Sequence, residues 1–187
     1  MRIVLVRLSA LGDIVHTWPL ADALAAFEPR PHLSWVVEEP LRHLVEGHPA
    51  VDSVFTTHTG RWRRRPFAAA TRSEIATLKT KLRELQPDVV LDPQGTVKSS
   101  LIARWARAER RVGLARPWRR ERFAGMAYTA TVRGAPARSH VVETNLALLR
   151  AFGTDPPDLV YPDGSWLLER VASRVPEGGW STPYAVV

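Results

Sequence analysis

Residues 2–13 read RIVLVRLSALGD, and this stretch decides the fold. Its first part, Arg2–Leu8, is rich in apolar and β-branched side chains, a pattern typical of a buried strand. Ser9–Asp13 follows as a tight loop that contains a glycine, and the apolar spacing predicts a helix from about Ile14 to Phe27. Because Pro19 falls inside this helix, we expect it to bend the helix or to reset its start.

Strand and helix patterns keep alternating through the rest of the chain. Such alternation predicts an α/β fold: a Rossmann-like open parallel sheet with helices on both faces. We expect a polar, Arg-rich loop at Thr57–Pro66 and a helix at 139–152, for which Ser139 is a plausible N-cap. The other predicted strands are 33–37, 51–56, 88–91, 111–114 and 128–132, and the other predicted helices are 40–47, 68–85 and 96–107.

Three of the predicted strand-to-helix loops are expected on one side of the sheet. In open parallel sheets, ligands bind outside the carboxyl ends of the strands. This places Ser9–Asp13, Thr57–Pro66 and Asp92–Lys98 together at that edge. We therefore expect the site to lie there.

The end of the chain has a different character. Residues 1–152 are predicted to form one domain, and 153–183 a Pro- and Asp-rich linker with a helix at 165–174 and a loop at 176–183. Tyr184–Val187 resembles the opening of a new strand. We expect these last residues to be the start of a truncated second domain.

Composition excludes several classes of protein. The chain has 187 residues, of which 45% are hydrophobic, and no apolar run is long enough to span a bilayer. It has no cysteine, which excludes a disulfide scaffold, a thiolate zinc site and a Cys nucleophile and fits a reducing, cytoplasmic location. The motifs of dinucleotide-binding loops, P-loops, zinc proteases and α/β-hydrolases are also missing.

Positive charge is concentrated in the middle of the chain. The net charge is +7, and residues 61–140 carry 19 basic and 6 acidic side chains. Codon usage in a GC-rich genome favours Arg over Lys, but it does not explain the clustering. The clustering indicates an anionic partner: nucleic acid, an anionic membrane surface, or a phosphorylated or acidic sugar.

Asp13 is the first candidate for chemistry. A carboxylate at the start of a helix can cap that helix, and at the carboxyl edge of the sheet it can also act as a general base toward a hydroxyl. Arg61–Arg65, with Trp62 among the arginines, is either a solvated loop or a clamp for phosphate or carboxylate. Lys98, in the first turn of its predicted helix, is either a surface residue or a partner of an anion bound at that helix end.

A larger basic cluster follows, interleaved with Trp105 and Trp118. It could bind nucleic acid or a membrane surface. Its members are Arg104, Arg107, Arg110, Arg111, Arg116, Arg119, Arg120 and Arg122.

Taken together, the motifs resemble the lipopolysaccharide heptosyltransferases of glycosyltransferase family 9, most closely the type I enzymes. The resemblance runs from residue 1 to about 150. It rests on Arg7-Leu8-Ser9-Ala10-Leu11-Gly12-Asp13-Ile14-Val15-His16-Thr17 with Pro19, Trp35-Val36-Val37-Glu38-Glu39, Arg61-Trp62-Arg63-Arg64, Asp92-Pro93-Gln94-Gly95-Thr96-Val97-Lys98-Ser99, Arg120-Glu121, and His140 with Glu143.

The resemblance implies the acceptor half of a two-domain GT-B enzyme. Such an enzyme transfers heptose from ADP-heptose, with inversion, to the Kdo sugar of lipid A–inner core in lipopolysaccharide core biosynthesis. It implies that Asp13 is the catalytic base and that no metal or cofactor takes part. Residues implied in acceptor binding are Ser9, Gly12, Arg61, Arg63, Arg64, Gln94, Lys98 and Arg120.

The resemblance also implies partners and a location. ADP-heptose would be bound mainly by the missing C-terminal domain, so the 187-residue chain alone is expected to be inactive. The protein is expected to be a monomer in the cytoplasm of a Gram-negative cell. There it would touch the anionic inner membrane peripherally and bind no specific nucleic acid.

Two other hypotheses about the function remain open. One is another GT-B glycosyltransferase of envelope polysaccharide synthesis that acts on a different sugar. The other is a basic nucleic-acid-binding module, which rests on the charge alone, because no RRM, KH, helix-turn-helix or zinc-finger signature is visible.

Overall fold

The computed structural model describes residues 1–158 and 161–172. In this part of the chain six strands form one sheet in the order β3-β2-β1-β4-β5-β6, and every neighbouring pair is parallel. The predicted Rossmann-like sheet is confirmed. The strands are β1 Arg2–Val6, β2 His32–Glu38, β3 Ser53–Thr57, β4 Val89–Asp92, β5 Arg110–Leu114 and β6 Ala130–Val132.

Helices connect the strands and cover both faces of the sheet. In addition to the α-helices, 3₁₀ helices occupy Glu39–Leu44, Arg122–Ala127 and Ala147–Phe152. No helix among the described residues is long and apolar enough to cross a membrane. The α-helices are α1 Leu11–Val15, α2 Trp18–Ala25, α3 Thr59–Arg64, α4 Ala69–Glu84, α5 Val97–Trp105, α6 Val141–Leu146 and α7 Ser165–Ala172.

Two hydrophobic cores lie on opposite faces of the sheet. Side chains alternate along a strand, so Ile3 and Leu5 of β1 join one core, whereas Val4 and Val6 join the other. The first core includes residues of α1, α2 and α6. The second includes residues of α3, α4 and α5, which are the helices of the Arg-rich middle of the chain.

The single helix predicted from Ile14 to Phe27 is two helices. The chain turns at Thr17, whose hydroxyl donates to the carbonyl oxygen of Asp13 at 2.7 Å. Pro19 then stands in the first turn of α2, where its missing N–H costs no hydrogen bond. The expectation that Pro19 resets the helix start is therefore confirmed, but the helix begins earlier than predicted and includes Asp13.

The loop predicted at Thr57–Pro66 is largely helical, which corrects the sequence interpretation. Residues 59–64 form α3 because Trp62 is buried, with 7% of its surface exposed, and its indole N–H donates to Glu74 Oε2 at 2.8 Å. One buried aromatic residue among arginines gives little periodic signal. Tertiary packing decides the helix here.

The predicted cap at Ser139 is also wrong. His140 is the N-cap of α6: its Nδ1 accepts the Val142 N–H at 3.3 Å, and Glu143 accepts the His140 N–H at 2.7 Å. This reciprocal pair is a capping box that uses histidine in place of serine. The helix predicted up to Phe152 continues as the 3₁₀ helix Ala147–Phe152, and the segment predicted as a helix at 40–47 is the 3₁₀ helix Glu39–Leu44.

The predicted tail is described only in part. The helix predicted at 165–174 is present as α7 up to Ala172, and its last two predicted residues lie outside the described part of the chain. The loop predicted at 176–183 and the strand predicted at Tyr184–Val187 lie outside the described residues. The proposed division into domains stays a prediction.

A buried histidine joins α7 to the rest of the domain. The His48 ring lies 5.7 Å from the Trp18 ring and 5.1 Å from the Trp166 ring. Its Nδ1 accepts the Ala50 N–H at 3.2 Å. Its Nε2 has no hydrogen-bond partner within the described part of the chain and stands 3.9 Å from a carboxylate oxygen of Asp22. Burial lowers the pKa of His48 to about 4.

We expect His48 to make the fold sensitive to mild acid. Its pKa is about 6.5 when unfolded and about 4 when folded, so its neutral form favours the folded state. The contribution of His48 to the free energy of unfolding should be level above pH 6.5 and fall by about 1–3 kcal/mol as the pH drops from 6.5 toward 4. Urea denaturation at a series of pH values measures this, and His48→Gln should flatten that part of the curve.

His43 provides the matched control, because it is exposed on the preceding 3₁₀ helix. His43→Gln should leave the pH dependence as it is. If His48→Gln and the wild-type chain lose stability in parallel between pH 6.5 and 4, the titrating group lies elsewhere.

Candidate active site

Asp13 lies at the carboxyl edge of the sheet, beyond the end of β1. It is the third residue of α1, and its carboxylate accepts the Ala10 N–H at a long 3.4 Å. The side chain is 31% exposed, so it remains open to an incoming hydroxyl. A carboxylate in the first turn is also stabilised by the helix dipole.

A buried arginine stands behind this carboxylate. Arg7 is 4% exposed, and its Nη1 lies 3.8 Å from Asp13 Oδ2. Its other nitrogens donate to Thr17 Oγ1 at 3.2 Å and to Asn145 Oδ1 at 3.1 Å. Burial lowers the pKa of Arg7, and the nearby carboxylates of Asp13 and Asp92 oppose that shift.

Arg7 therefore joins three elements that are distant in the chain. It ties the end of β1 to the α1–α2 junction and to α6, and Asn145 adds a hydrogen bond to the carbonyl oxygen of His16 at 2.9 Å. This role of Arg7 was missed from the sequence, where Arg7 stands within a longer motif. The available signal was a lone charge inside an otherwise apolar strand, which must find partners if it is buried.

Asp92 is a second buried charge at the same edge. Its Oδ1 accepts the N–H groups of Gln94 and Gly95, both at 3.0 Å. Its Oδ2 accepts the Ser99 hydroxyl at 2.8 Å and the Tyr128 hydroxyl at 2.7 Å. Burial raises the pKa of Asp92 and these hydrogen bonds oppose the rise, while burial and the carboxylate raise the pKa of Tyr128.

The turn held by Asp92 supports the Asp13 loop through Gln94. Gln94 is 5% exposed, and its Oε1 accepts the Leu8 N–H at 2.7 Å, directly before the loop. Thr96 and Ser99 then form the capping box of α5. Gln94, predicted to bind the acceptor, is thus placed where it positions the neighbouring loop.

An open groove of about 920 Å³ lies between α3 and α5. Lys98 points its ammonium group toward Glu38, with 3.7 Å between Nζ and Oε1. Glu38 also accepts the backbone N–H of Thr59 at 3.1 Å and the hydroxyl of the same residue, which ties α3 to the end of β2. The groove is lined by Ser9, Glu38, Pro40, Leu41, Thr59, Gly60, Arg63, Val97, Lys98, Leu101 and Glu121.

The residues predicted to bind the acceptor have different surroundings in the structure. Ser9, Arg63 and Lys98 line this groove. Arg61 instead pairs with Glu74 at 2.5 Å, and Arg64 donates to the Gly60 carbonyl oxygen at 3.3 Å.

Two predicted residues lie at the surface near these loops. Gly12 is exposed, and a Cβ added there would touch nothing within 4 Å. Arg120 is exposed, and its backbone nitrogen lies beside Gly95. Its positive charge is close enough to Arg7 to lower the pKa of Arg7. Among the residues that the structure describes, no group of three His, Asp or Glu side chains is placed to hold a metal ion.

An open parallel sheet with a carboxylate and an open polar groove at its carboxyl edge defines a Rossmann-like ligand-binding domain. The model of glycosyltransferase family 9 (heptosyltransferase) matches residues 75–173. The chain belongs to this family.

Individual relatives agree with the family match. Lipopolysaccharide heptosyltransferase 1 of Pseudomonas aeruginosa is 32% identical over 187 residues, which is all of this chain and 51% of that protein. The enzyme of the same description from Salmonella typhimurium is 33% identical over 159 residues, or 84% of this chain and 50% of that protein. The chain therefore spans about half the length of these relatives.

A solved structure gives the same result for the fold. The E. coli heptosyltransferase WaaC with ADP-2-deoxy-2-fluoro heptose superposes with a TM-score of 0.81 at 29% sequence identity. The superposition covers 95% of this chain and 56% of that one. A structure of E. coli ADP-heptose lps heptosyltransferase II, at 19% identity and a TM-score of 0.63, shares the fold.

We expect Asp92→Ala to destabilise the domain strongly. The change leaves two buried N–H groups and the Tyr128 hydroxyl without their acceptor, whereas Ser99 can still donate to the Thr96 carbonyl oxygen, 3.0 Å away. The free energy of unfolding should fall by about 3–5 kcal/mol. Asp92→Asn should cost less, because its amide oxygen can still accept the two N–H groups. Urea denaturation measures both variants, and equally small losses would show that this carboxylate does not hold the turn.

Proposed function

We propose that this chain is the acceptor-binding half of a heptosyltransferase of lipopolysaccharide core biosynthesis. The observation that carries the proposal is Asp13, an accessible carboxylate anchored by a buried arginine, at the edge of the sheet where Ser9, Arg63 and Lys98 line an open groove. The match to family 9 and the likeness to lipopolysaccharide heptosyltransferase 1 supply the reaction class. The proposed reaction is transfer of heptose from ADP-heptose to the Kdo sugar of lipid A–inner core.

Asp13 acts as the general base in this proposal. Its carboxylate accepts the proton of the attacking Kdo hydroxyl, and the hydroxyl oxygen forms a bond to the anomeric carbon of heptose. The bond from that carbon to the diphosphate breaks on the opposite side, so the configuration inverts and ADP leaves with the bonding electrons. One positioned base suffices for such a single displacement.

Arg7 is a positioning residue for this base. It approaches the carboxylate from the buried side, while its other nitrogens are held by Thr17 and Asn145. The outer side of the Asp13 carboxylate therefore stays free for the substrate. Fixing the reacting groups in this way lowers the entropy cost of reaching the transition state.

Cations around the groove suit an acidic acceptor. Kdo carries a carboxylate, and lipid A carries phosphates. Arg63 and Lys98 line the groove together with Glu38 and Glu121, and Arg120 stands near Arg7, and all three cations are assigned to these anions. Lys98 would exchange its 3.7 Å contact with Glu38 for an anion of the acceptor. Ser9 and Gly12 belong to the loop that meets the acceptor, whereas Arg61, Arg64 and Gln94 mainly support the surrounding backbone and helices.

The remaining partners follow from the same proposal. ADP-heptose is held mainly by a C-terminal domain, and the transfer uses neither a metal nor another cofactor. The acceptor is anchored in lipid, so the protein works on the cytoplasmic face of the inner membrane. It is proposed to be a monomer there. A panel of nucleotide sugars offered to the full-length protein separates this activity from that of another GT-B enzyme of envelope polysaccharide synthesis.

Replacing Asp13 tests the assignment of the base. In the full-length enzyme, Asp13→Asn should lower kcat by about 10²–10⁴-fold, because the amide cannot accept the hydroxyl proton. The melting temperature should fall modestly, because Asn keeps the hydrogen bond to Ala10 but removes the charge opposite the buried Arg7, which Thr17 and Asn145 still hold. Transfer from ADP-heptose and thermal unfolding are measured on the same preparations.

Asp22→Asn is the control, because that carboxylate is on α2 and is 52% exposed. It should keep full activity. If Asp13→Asn retains kcat but melts at a much lower temperature, Asp13 is a helix-stabilising residue and another group is the base.

Arg61 and Arg63 are two residues apart on α3 but have different surroundings, which makes them a matched pair. Arg63→Gln should weaken acceptor binding by about tenfold or more, since it removes a charge-assisted hydrogen bond from the groove. Arg61→Gln should weaken it less, because Arg61 already pairs with Glu74. Calorimetric titration with a delipidated Kdo-containing acceptor measures both, with circular dichroism to check folding, and equal effects would place the acceptor outside this groove.

A further inference from the structure

A groove rich in cations lies between α4 and the C-terminal half of α5. This α4–α5 groove has a volume of about 520 Å³. Five cations surround one indole ring in it, and no carboxylate is part of its lining. These residues are Lys79, Arg83, Arg104, Arg107, Arg111 and Trp105.

The groove adjoins the candidate active-site groove at Leu101, which lines both, but its cations lie toward the other end of α5. Helix α5 begins with Val97 in the active-site groove and ends with Trp105 in the α4–α5 groove. Eight residues of helix span about 12 Å. Nothing in the proposed transfer uses the far end of α5, so its charges require their own explanation.

Two of the arginines are held in place by backbone carbonyl groups. Arg111 donates through Nε to the Ala127 oxygen at 2.8 Å and through Nη1 to the Ala108 oxygen at 2.6 Å. Arg83 donates through Nε to the Trp105 oxygen at 3.4 Å. Their remaining N–H groups are therefore oriented in advance, which lowers the cost of binding an anion.

The other cations are not neutralised within the protein. Lys79 lies over the Trp105 ring, with Nζ 4.8 Å from the ring centroid. Within residues 1–158 and 161–172, none of the five cations forms an ion pair with a carboxylate. Neighbouring like charges repel one another, and an anion bound among them would remove that repulsion.

Apolar side chains are exposed on the element next to this groove. The 3₁₀ helix Arg122–Ala127 packs against α5 through its buried alanines, but Phe123 is 66% exposed and Met126 is 81% exposed. On α5 itself, Leu101 borders the groove and is 47% exposed. Exposed apolar residues among cations are typical of surfaces that enter the headgroup layer of an anionic bilayer.

We propose that the α4–α5 groove is a binding site for a phosphate ester, with the arginine N–H groups and the Lys79 ammonium on the phosphate oxygens. The apolar neighbours favour the headgroup of an anionic lipid over a soluble phosphate. The inference gives a site to the membrane contact proposed above, but it does not depend on the transfer reaction. Guanidinium groups suit this ligand because they bind two phosphate oxygens at once.

The chain has three lysines, which makes lysine acetylation read by mass spectrometry a site-resolved test. Lys79 lines the α4–α5 groove, Lys81 lines a different pocket beside β3, and Lys98 lines the active-site groove. Phosphatidylglycerol vesicles should slow acetylation of Lys79 several-fold, and phosphatidylcholine vesicles should not. Lys81 should react at an unchanged rate in both.

Charge-matched double variants provide the second measurement, made on the full-length protein by co-sedimentation with the same vesicles. Lys79→Gln with Arg104→Gln should weaken binding to phosphatidylglycerol vesicles about tenfold or more. Arg72→Gln with Lys81→Gln removes the same charge from α4 outside the groove and should weaken binding less than threefold. Unchanged melting temperatures show that both variants are folded.

The outcomes separate the sources of phosphate. Protection of Lys79 by inorganic pyrophosphate but not by vesicles would support the site and assign a soluble phosphate ester to it. Equal losses in the two double variants, or no protection of Lys79 by any probe, would overturn the proposal. Neither result bears on the transfer reaction, which the Asp13 variants test separately.

Discussion

The buried guanidinium of Arg7 constrains the rest of this structure. A charge that is 4% exposed must find partners, and Arg7 finds them in Thr17, Asn145 and Asp13. These contacts fix where α1 ends, where α2 begins and how α6 returns to the sheet. They also leave the outer side of the Asp13 carboxylate facing solvent, so one interaction serves both the fold and the proposed chemistry.

Asp92 has a comparable role one strand away. Its four hydrogen bonds join the end of β4, the start of α5 and Tyr128. Gln94, in the same turn, accepts a hydrogen bond from the backbone N–H of Leu8 and so links this turn to the Asp13 loop. The two buried charges influence each other across the carboxyl edge of the sheet. A preorganised edge of this kind holds the loops of a binding site in place before a ligand arrives.

The basic middle of the sequence covers one face of the sheet. Helices α3, α4 and α5 pack on the same face of the sheet, and they belong to the basic middle of the chain. Their cations are used differently: Arg61 pairs with Glu74, Arg63 and Lys98 line the active-site groove, and another group surrounds Trp105. A partner that carries several phosphates or carboxylates suits such a face better than one carrying a single anion.

The sequence by itself determined the parallel α/β sheet, because strand and helix periodicities alternate and each loop has local turn signals. It also determined which edge of the sheet carries Asp13, Arg63 and Lys98, since parallel strands all end on one side. Only the tertiary structure decided that residues 59–64 are helical, that His140 caps α6, and that Arg61 and Gln94 have partners inside the protein. Those outcomes depend on contacts between residues far apart in the chain, such as Arg7 with Asn145, and no local pattern encodes such contacts.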